Sequence, residues 1–335
     1  MGLVFWLLCD KKGIVPRINP LIIFQYLCTF KRFRSPVFNM KEKPISLSNP
    51  TWLLMDVLKS ATDFLKSKSI ENPRLNAEQL LAHSLQMDRM SLYLQFDRPL
   101  TQQERDTYKN CLRRRAENEP LQYIIGQTEF MSLPFTVTPE VLIPRPETET
   151  LVEAVAEIVK KEDSVHILDI GTGSGIIAVS LAHYLPNADL TAIDISDSAL
   201  AVAKQNATLN QVDGRIRFFM GDVMGDSFLS LFPNGFDVVV SNPPYVTKQE
   251  FEQLPEEIRK HEPKEALTDH GDGLDFYRKI SEIGHTLVKP DGVIFVEVGD
   301  TQSQSVQLIF AENQYQTIQA IKDLNGIERV IKIIR

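Results

Sequence analysis

The sequence lacks the cysteine and histidine patterns that bind metals or form a disulfide framework. Among its 335 residues there are only three cysteines, Cys9, Cys28 and Cys111, and no CxxC pair. The six histidines show no metal-ligand spacing either. We therefore expect no metal site, and we expect the protein to work in a reducing compartment.

Long apolar runs and a net positive charge are also missing. The apolar stretches Val4–Cys9 and Leu21–Phe30 are too short to cross a bilayer, so we expect no membrane span. The formal net charge is −8, but residues 1–45 carry eight Lys/Arg against two acids, which leaves the rest of the chain at −14. The negative charge of the chain after residue 45 argues against stable binding of long nucleic acid, although it does not exclude a local basic patch.

The basic composition of residues 1–45 sets this segment apart from the rest of the chain. It is poor in acids and resembles an organelle transit peptide, which predicts a mitochondrial protein. The alternatives are an unstructured extension and a cytoplasmic location. A secretory signal is not expected, because no positive segment leads into an apolar run with a cleavage site.

Residues 46–119 have the apolar periodicity of helices and predict a small N-terminal domain. Asn72-Pro73 begins one helix, and Thr101 with Glu104 forms a capping box at the start of another. Arg113-Arg114-Arg115 ends that helix. We interpret the three arginines as a solvated face that suits the helix C-terminus, with a contact to RNA as the alternative.

From Pro120 onwards the pattern changes. Residues 120–140 predict a linker hairpin that includes Tyr123–Gly126 and Glu129–Thr138. Residues 141–335 then alternate strands with helices, which predicts an α/β fold with a seven-stranded, mostly parallel Rossmann-like sheet that binds ligands at the carboxyl ends of its strands. The predicted strands are 165–170, 189–193, 215–220, 236–241 and 292–298, and the predicted helices are 176–184, 198–210 and 276–288.

A glycine loop follows the first of these strands and predicts a cofactor site. Its glycines have GxGxG spacing, not the GxGxxG of a dinucleotide loop, and they let a ligand lie against the backbone. Asp194 ends the next strand, where a carboxylate can accept hydrogen bonds from ribose hydroxyls. The pattern predicts S-adenosylmethionine, with NAD as the alternative for the loop alone. The predicted cofactor residues are Asp169 (at the ammonium end), Gly171, Thr172, Gly173, Ser174, Gly175, Asp194, Asp222 and Val223 (near the adenine), and Asn242.

Asn242-Pro243-Pro244-Tyr245 follows a buried strand and predicts a clamp for a planar N–H₂ group. The Asn242 side-chain oxygen and the Pro243 carbonyl can each accept one hydrogen bond from that group. This would aim the nitrogen lone pair at a sulfonium methyl group. The prolines stiffen the turn, and the Tyr245 ring can pack on the planar group. We therefore expect Asn242, Pro243 and Tyr245 to be catalytic and all four residues to bind substrate.

Together these motifs resemble the HemK/PrmC family of glutamine N5-methyltransferases, from about residue 50 to the C-terminus. The resemblance implies an S-adenosylmethionine-dependent enzyme that methylates the glutamine of a Gly-Gly-Gln motif in a class I peptide-chain release factor. It also implies that the helical domain helps to dock that substrate and, with the leader, that the protein is an organellar member. We also expect a monomer. The similar segments are Leu121–Gly126, Glu129-Phe130, Ile143–Glu149, Asp169–Gly175, Asp194, Asn242–Tyr245, Gly273–Tyr277, Glu297–Gly299 and Gln302.

The chain departs from the family pattern at one point. Bacterial members often carry a bulky aromatic residue just after the acid that corresponds to Asp222, whereas this chain has Val223-Met224. We therefore expect other apolar side chains to contact the adenine.

Two other functions share parts of this pattern. An adenine-N6 methyltransferase acting on nucleic acid uses the same turn, because an exocyclic amine poses a similar geometric problem, but it would need a basic surface. The other is a methyltransferase-fold subunit that only scaffolds a partner. The intact glycine loop, Asp194 and Asn242 argue against a scaffold.

Overall fold

The computed structural model describes residues 52–159 and 164–335. The predicted leader, residues 1–45, lies outside them. Within these two ranges no helix is long and apolar enough to span a bilayer.

The described chain begins with five helices that share an apolar core. Leu58 of α1, Leu80 of α2 and Tyr108 of α4 are fully buried in it. The Thr101 hydroxyl accepts the Glu104 N–H while the Glu104 carboxylate accepts the Thr101 N–H, so the predicted capping box is present. The helices are α1 Leu54–Ser67, α2 Pro73–Leu85, α3 Arg89–Leu94, α4 Gln102–Ala116 and α5 Leu121–Ile125.

The hairpin prediction was wrong for Tyr123–Gly126, since residues 123–125 belong to helix α5 and Gly126 directly follows it. Pro120 begins the turn, and its carbonyl accepts the N–H groups of Tyr123 and Ile124. Gly126 ends the helix with a φ of 80°, which a glycine adopts without strain. The hairpin itself is shorter than predicted and consists of antiparallel β1 (Gln127–Phe130) and β2 (Leu133–Thr136).

Arg115 does not lie on a solvated face, so the interpretation of the three arginines was wrong for this residue. Its buried guanidinium donates to Asn76 Oδ1 (2.7 Å), to the Glu119 carbonyl (3.0 Å) and to Glu257 Oε2 (2.8 Å). Glu257 lies in a short helix, Glu256–His261, that begins 11 residues after Tyr245. The pair therefore ties the N-terminal helices to the segment that follows the predicted clamp.

The rest of the chain forms a seven-stranded sheet in the order β5-β4-β3-β6-β7-β9-β8. The first five strands of this order run parallel, and β9 is antiparallel to both of its neighbours. The predicted α/β fold is confirmed. The strands are β3 His166–Ile170, β4 Asp189–Asp194, β5 Ile216–Met220, β6 Phe236–Ser241, β7 Val288–Glu297, β8 Thr317–Lys322 and β9 Glu328–Ile334.

Helices cover the sheet, and their bounds agree with the predictions to within about one residue where a helix was predicted. The sequence patterns did not predict α9, α10 and α12, nor the antiparallel strands β8 and β9. The helices are α6 Glu149–Ile158, α7 Ile176–Tyr184, α8 Asp197–Leu209, α9 Lys248–Gln253, α10 Glu256–His261, α11 Asp275–Leu287 and α12 Ser303–Glu312.

The strand order places a crevice at the carboxyl ends of β3 and β6. From β3 the chain continues to β4 on one side, whereas β6 lies on the other side. Loops that leave neighbouring strands in opposite directions open a crevice between them, which is where such sheets bind ligands. The glycine loop follows β3 and the Asn-Pro-Pro-Tyr turn follows β6, so both motifs border this crevice.

Buried Asn206 on α8 connects the hairpin to the glycine loop. Its side-chain oxygen accepts the Thr136 N–H (2.7 Å), and its amide donates to the Thr136 carbonyl (3.0 Å) and the Ser174 carbonyl (2.8 Å). One side chain thus satisfies three backbone groups from two separate segments.

We predict that Asn206→Ala lowers the free energy of unfolding by about 3 kcal/mol, because buried backbone groups lose their partners. The matched control is Asn210→Ala, at the residue that follows the same helix, whose partly exposed side chain donates to the Pro134 carbonyl (2.9 Å) and the Asn206 carbonyl (3.0 Å); its cost should stay below about 1 kcal/mol. Urea denaturation of the three proteins measures both values. Equal losses in the two variants would contradict this role of Asn206.

Candidate active site

A pocket with a volume of about 460 Å³ lies at the carboxyl ends of β3, β4 and β6. This size is typical of small-ligand sites. A larger and more open groove of about 950 Å³ lies between α1 and α4, but it contains none of the predicted site residues. The pocket at the sheet edge brings together three separate motifs, since its lining includes Gly171, Gly173, Asp194, Asp222, Val223, Asn242, Pro243 and Pro244.

Five of the predicted site residues, Asp169, Thr172, Ser174, Gly175 and Tyr245, lie outside that lining. The Thr172 hydroxyl donates to buried Asp169 (2.7 Å). A β-carbon at Gly175 would lie 3.1 Å from Ala203 Cβ, so the lack of a side chain lets this loop approach α8. The direct ligand contacts predicted for Asp169, Thr172, Ser174, Gly175 and Tyr245 stay predictions.

Asp194 holds the glycine loop as well as lining the pocket. Its Oδ2 accepts the Gly173 N–H (2.8 Å), and its Oδ1 accepts the Ser196 N–H (2.9 Å). The Ile193 carbonyl also accepts two N–H groups from the loop. Each carboxylate oxygen has a second lone pair, so Asp194 can accept further hydrogen bonds from a ligand without releasing the loop.

Asp169 is completely buried behind the loop. Its Oδ2 accepts the Thr172 hydroxyl and the Ala178 N–H, whereas its Oδ1 has no hydrogen-bond partner among the described residues. Burial raises the pKa of Asp169 to about 7, and the nearby charge of Asp194 adds to this against the two hydrogen bonds. A cationic group nearby would favour the ionised carboxylate and satisfy the unpartnered oxygen.

Asn242 directly follows β6 and contacts the loop before α6. Its amide Nδ2 donates to Thr148 Oγ1 (3.1 Å), which leaves Oδ1 as the acceptor end of the same group. The preceding Ser241 hydroxyl donates to the Ile170 carbonyl (2.8 Å) and so joins the ends of β6 and β3. The Asn242 amide is therefore fixed next to the glycine loop, in the lining of the pocket.

Tyr245 turns into the protein rather than into the pocket lining. Its hydroxyl lies 3.5 Å from Glu297 Oε1, and its carbonyl accepts the Gln302 side-chain amide (2.8 Å). A β-carbon at Gly273, whose φ is 77°, would meet that carbonyl at 2.2 Å. Gly273 and Gln302 thus allow and fix the path of the turn.

The comparisons with known proteins agree with this arrangement. Models of the PrmC N-terminal domain and of the methyltransferase small domain match residues 56–126 and 147–274. The release factor glutamine methyltransferase of Geobacter sulfurreducens is 40% identical over 292 residues, which cover 87% of this chain and 98% of that protein. That of Chlorobaculum tepidum is 38% identical over 283 residues, which cover 83% and 96%.

The chain belongs to the release factor glutamine methyltransferase family. The resemblance stated from the motifs is confirmed, and the protein is a methyltransferase.

S-adenosylmethionine, the methyl donor, fits the residues of this methyltransferase pocket. Asp194 in the lining offers acceptors for ribose hydroxyls, and the unpartnered oxygen of Asp169, buried behind the lining, suits the charge of an ammonium group. In place of the aromatic residue that is missing after Asp222, the lining offers other apolar groups. They are Ile170, Ile193, Ile195, Val223 and Phe276.

Sequence reasoning missed several residues of this site. Thr148 and Glu297 lie in segments that resemble the family, but their spacing predicts no chemistry. Phe276 immediately follows Asp275 in another such segment and could have been proposed from it. Pro263, Glu265 and Ala266 also line the pocket, and no sequence signal marks them.

We predict that Asp194→Ala weakens S-adenosylmethionine binding by roughly 1.5–3 kcal/mol, the range for hydrogen bonds to a charged group. The matched control is Asp197→Ala, which removes an exposed carboxylate three residues away from outside the pocket lining. Isothermal titration calorimetry measures both affinities. If Asp194→Ala binds as tightly as Asp197→Ala, the assignment of Asp194 to the ribose is wrong.

Proposed function

We propose that this protein transfers the methyl group of S-adenosylmethionine to the side-chain amide nitrogen, N5, of the glutamine in the Gly-Gly-Gln motif of a class I peptide-chain release factor. The single observation that carries the proposal is the Asn242 amide, whose Nδ2 is held by Thr148 at the edge of the donor pocket. The substrate is supported by the names of the relatives, since the matches cover 83–87% of this chain and 96–98% of those proteins.

An amide nitrogen is a poor nucleophile, because its lone pair is delocalised into the carbonyl. S-adenosylmethionine supplies an electrophilic methyl group on a sulfonium centre. The task of the protein is therefore to orient the nitrogen more than to deprotonate it. Asn242 Oδ1 and the Pro243 carbonyl accept the two N–H groups and favour the positive charge that develops on the nitrogen. The nitrogen would gain the methyl group as the bond between the methyl carbon and the sulfonium sulfur breaks, with the electron pair of the broken bond staying on sulfur. One N–H proton would then leave to water.

Methylation of adenine N6 in nucleic acid is the alternative that shares this turn. The rim of the pocket carries the acidic side chains Glu140 and Glu265, in addition to Asp194 and Asp222. These carboxylates would repel a phosphate backbone. Both the charge of the rim and the names of the relatives therefore favour a protein substrate.

We also propose a mitochondrial location and a monomeric state. The first is supported by the basic, acid-poor composition of residues 1–45. Imaging of a fluorescent fusion with and without residues 1–45, and sedimentation of the purified protein, test the two points. Cytoplasmic fluorescence of the full-length fusion, or a sedimenting dimer, would contradict them.

The function is tested by incubating the protein with labelled S-adenosylmethionine and either a class I release factor, its Gly-Gly-Ala variant, or RNA and DNA. We expect one methyl group on the glutamine of the intact motif, located by mass spectrometry, and none on the variant. Label on nucleic acid alone would replace this proposal with the alternative.

We predict that Asn242→Ala lowers kcat by about 10² or more, because an orienting contact is lost, while S-adenosylmethionine affinity is kept. Asn210→Ala serves as the control, since it removes the same group far from the pocket lining. Single-turnover assays with a release factor measure the rate, and calorimetry measures cofactor binding. An Asn242→Ala rate equal to that of the control would refute the amide clamp.

A further inference from the structure

The Asn242 amide is the first member of a buried chain of hydrogen bonds. Asn242 Nδ2 donates to Thr148 Oγ1 (3.1 Å), and Thr148 is completely buried. The Thr148 hydroxyl in turn faces the carboxylate of Glu297, which is 1% exposed, and lowers the pKa of that carboxylate as a hydrogen-bond donor. The chain thus runs from the pocket lining into the interior.

Three separate elements bring these side chains together. Thr148 ends a short 3₁₀ turn, Pro146–Thr148, that leads into α6. Asn242 follows β6, and Glu297 is the last residue of the neighbouring parallel strand β7. Because Ser241 and Val296 are partners in the register of the two strands, the next residue on each strand reaches the same sheet edge.

The direction of this chain is set at its inner end. An ionised carboxylate can only accept hydrogen bonds, so the Thr148 hydroxyl must give its single proton to Glu297. Towards Asn242 the same hydroxyl can then only accept. Asn242 must therefore present its NH₂ group to Thr148, which turns its carbonyl oxygen the other way.

The donors and the positive charge that face Glu297 favour its ionised, accepting form, whereas burial opposes it. Burial raises the pKa of Glu297 to about 7, against the Thr148 hydrogen bond and the positive charge of Arg329; Glu147 also raises it, and Tyr245 lowers it. The carboxylate that can only accept therefore predominates above about pH 7, and the direction of the chain is set there. The Tyr245 hydroxyl, 3.5 Å from Oε1, approaches as a second donor, and Oε2 has no hydrogen-bond partner within the described ranges. Arg329 itself is engaged by Asp300 (2.5 Å).

We propose that Thr148 and Glu297 are positioning residues that fix the polarity of the Asn242 amide, so that its oxygen and not its NH₂ group meets the substrate nitrogen. The inference rests on the proposed function and deepens it. A flipped Asn242 would offer donors to a substrate group that itself carries donors, so the clamp would repel the amide that it has to orient. Neither residue touches substrate or cofactor in this account.

The experiment compares four variants of the full-length protein. Thr148→Val removes the hydroxyl at nearly constant volume, and Thr148→Ser restores it. Glu297→Gln keeps the shape but adds donors, so Thr148 can accept from it and reverse the chain. The control is Thr191→Val, the same exchange at another buried threonine, on β4.

We predict that Thr148→Val lowers kcat about 10²-fold and Glu297→Gln about 10-fold, whereas Thr148→Ser and Thr191→Val stay within about threefold of the wild type. S-adenosylmethionine affinity, measured by calorimetry, should be unchanged in all four, because the chain orients the acceptor of the substrate amide and not the cofactor. The loss should appear in kcat more than in the KM for the release factor.

Two results would overturn the inference. One is wild-type kcat in both Thr148→Val and Glu297→Gln. The other is a Thr148→Ser variant as slow as Thr148→Val, since a merely structural threonine would need its methyl group and not its hydroxyl. If Thr148→Val no longer binds S-adenosylmethionine, the kcat of Glu297→Gln is compared with that of Thr148→Ser. A kcat about 10-fold lower in Glu297→Gln supports the inference, and equal values overturn it. The activity of the wild type is measured before that of the variants. If the wild type does not methylate release factor, the proposed function is refuted and not this inference alone.

Discussion

The parallel pairing of β4, β3, β6 and β7 is the constraint on which the rest of this structure depends. Parallel strands deliver their carboxyl ends to one edge of the sheet, so residues far apart in sequence meet there. Asp194 arrives from β4, the glycine loop from β3, Asn242 from β6 and Glu297 from β7. Both the donor pocket and the amide clamp follow from this arrangement.

Several buried polar side chains near that edge fix its loops through hydrogen bonds. Asn206 satisfies backbone groups of the hairpin and of the glycine loop, and Asp194 ties the same loop to β4. Thr148 and Glu297 act on the Asn242 side chain. Because each of these side chains bonds to a partner from another element, the polar network holds the loops where a weak nucleophile must be oriented.

Much of the fold could be predicted from the sequence, because its signals are local. Alternation of strands and helices predicted the sheet, and the bounds of β6 and α7 agree with the structure. Glycine spacing and the turn after β6 predicted part of the pocket lining, namely Gly171, Gly173 and residues 242–244. The prediction for Tyr123–Gly126 was wrong, because its apolar residues suit a strand as well as a short helix. The hydrogen bonds that the Pro120 carbonyl accepts from Tyr123 and Ile124 form the helical turn. Arg115 and the pair of Thr148 and Glu297 could not be foreseen, because their roles depend on partners more than 100 residues away.

The most direct test of the account is a crystal structure of the protein with S-adenosylhomocysteine and a Gly-Gly-Gln peptide. The account predicts that the glutamine nitrogen lies within about 3.2 Å of both Asn242 Oδ1 and the Pro243 carbonyl, the distance of a normal hydrogen bond. It also predicts that Asn242 Nδ2 still donates to Thr148. A peptide amide held by other groups, or an Asn242 side chain turned away from it, would contradict the central claim.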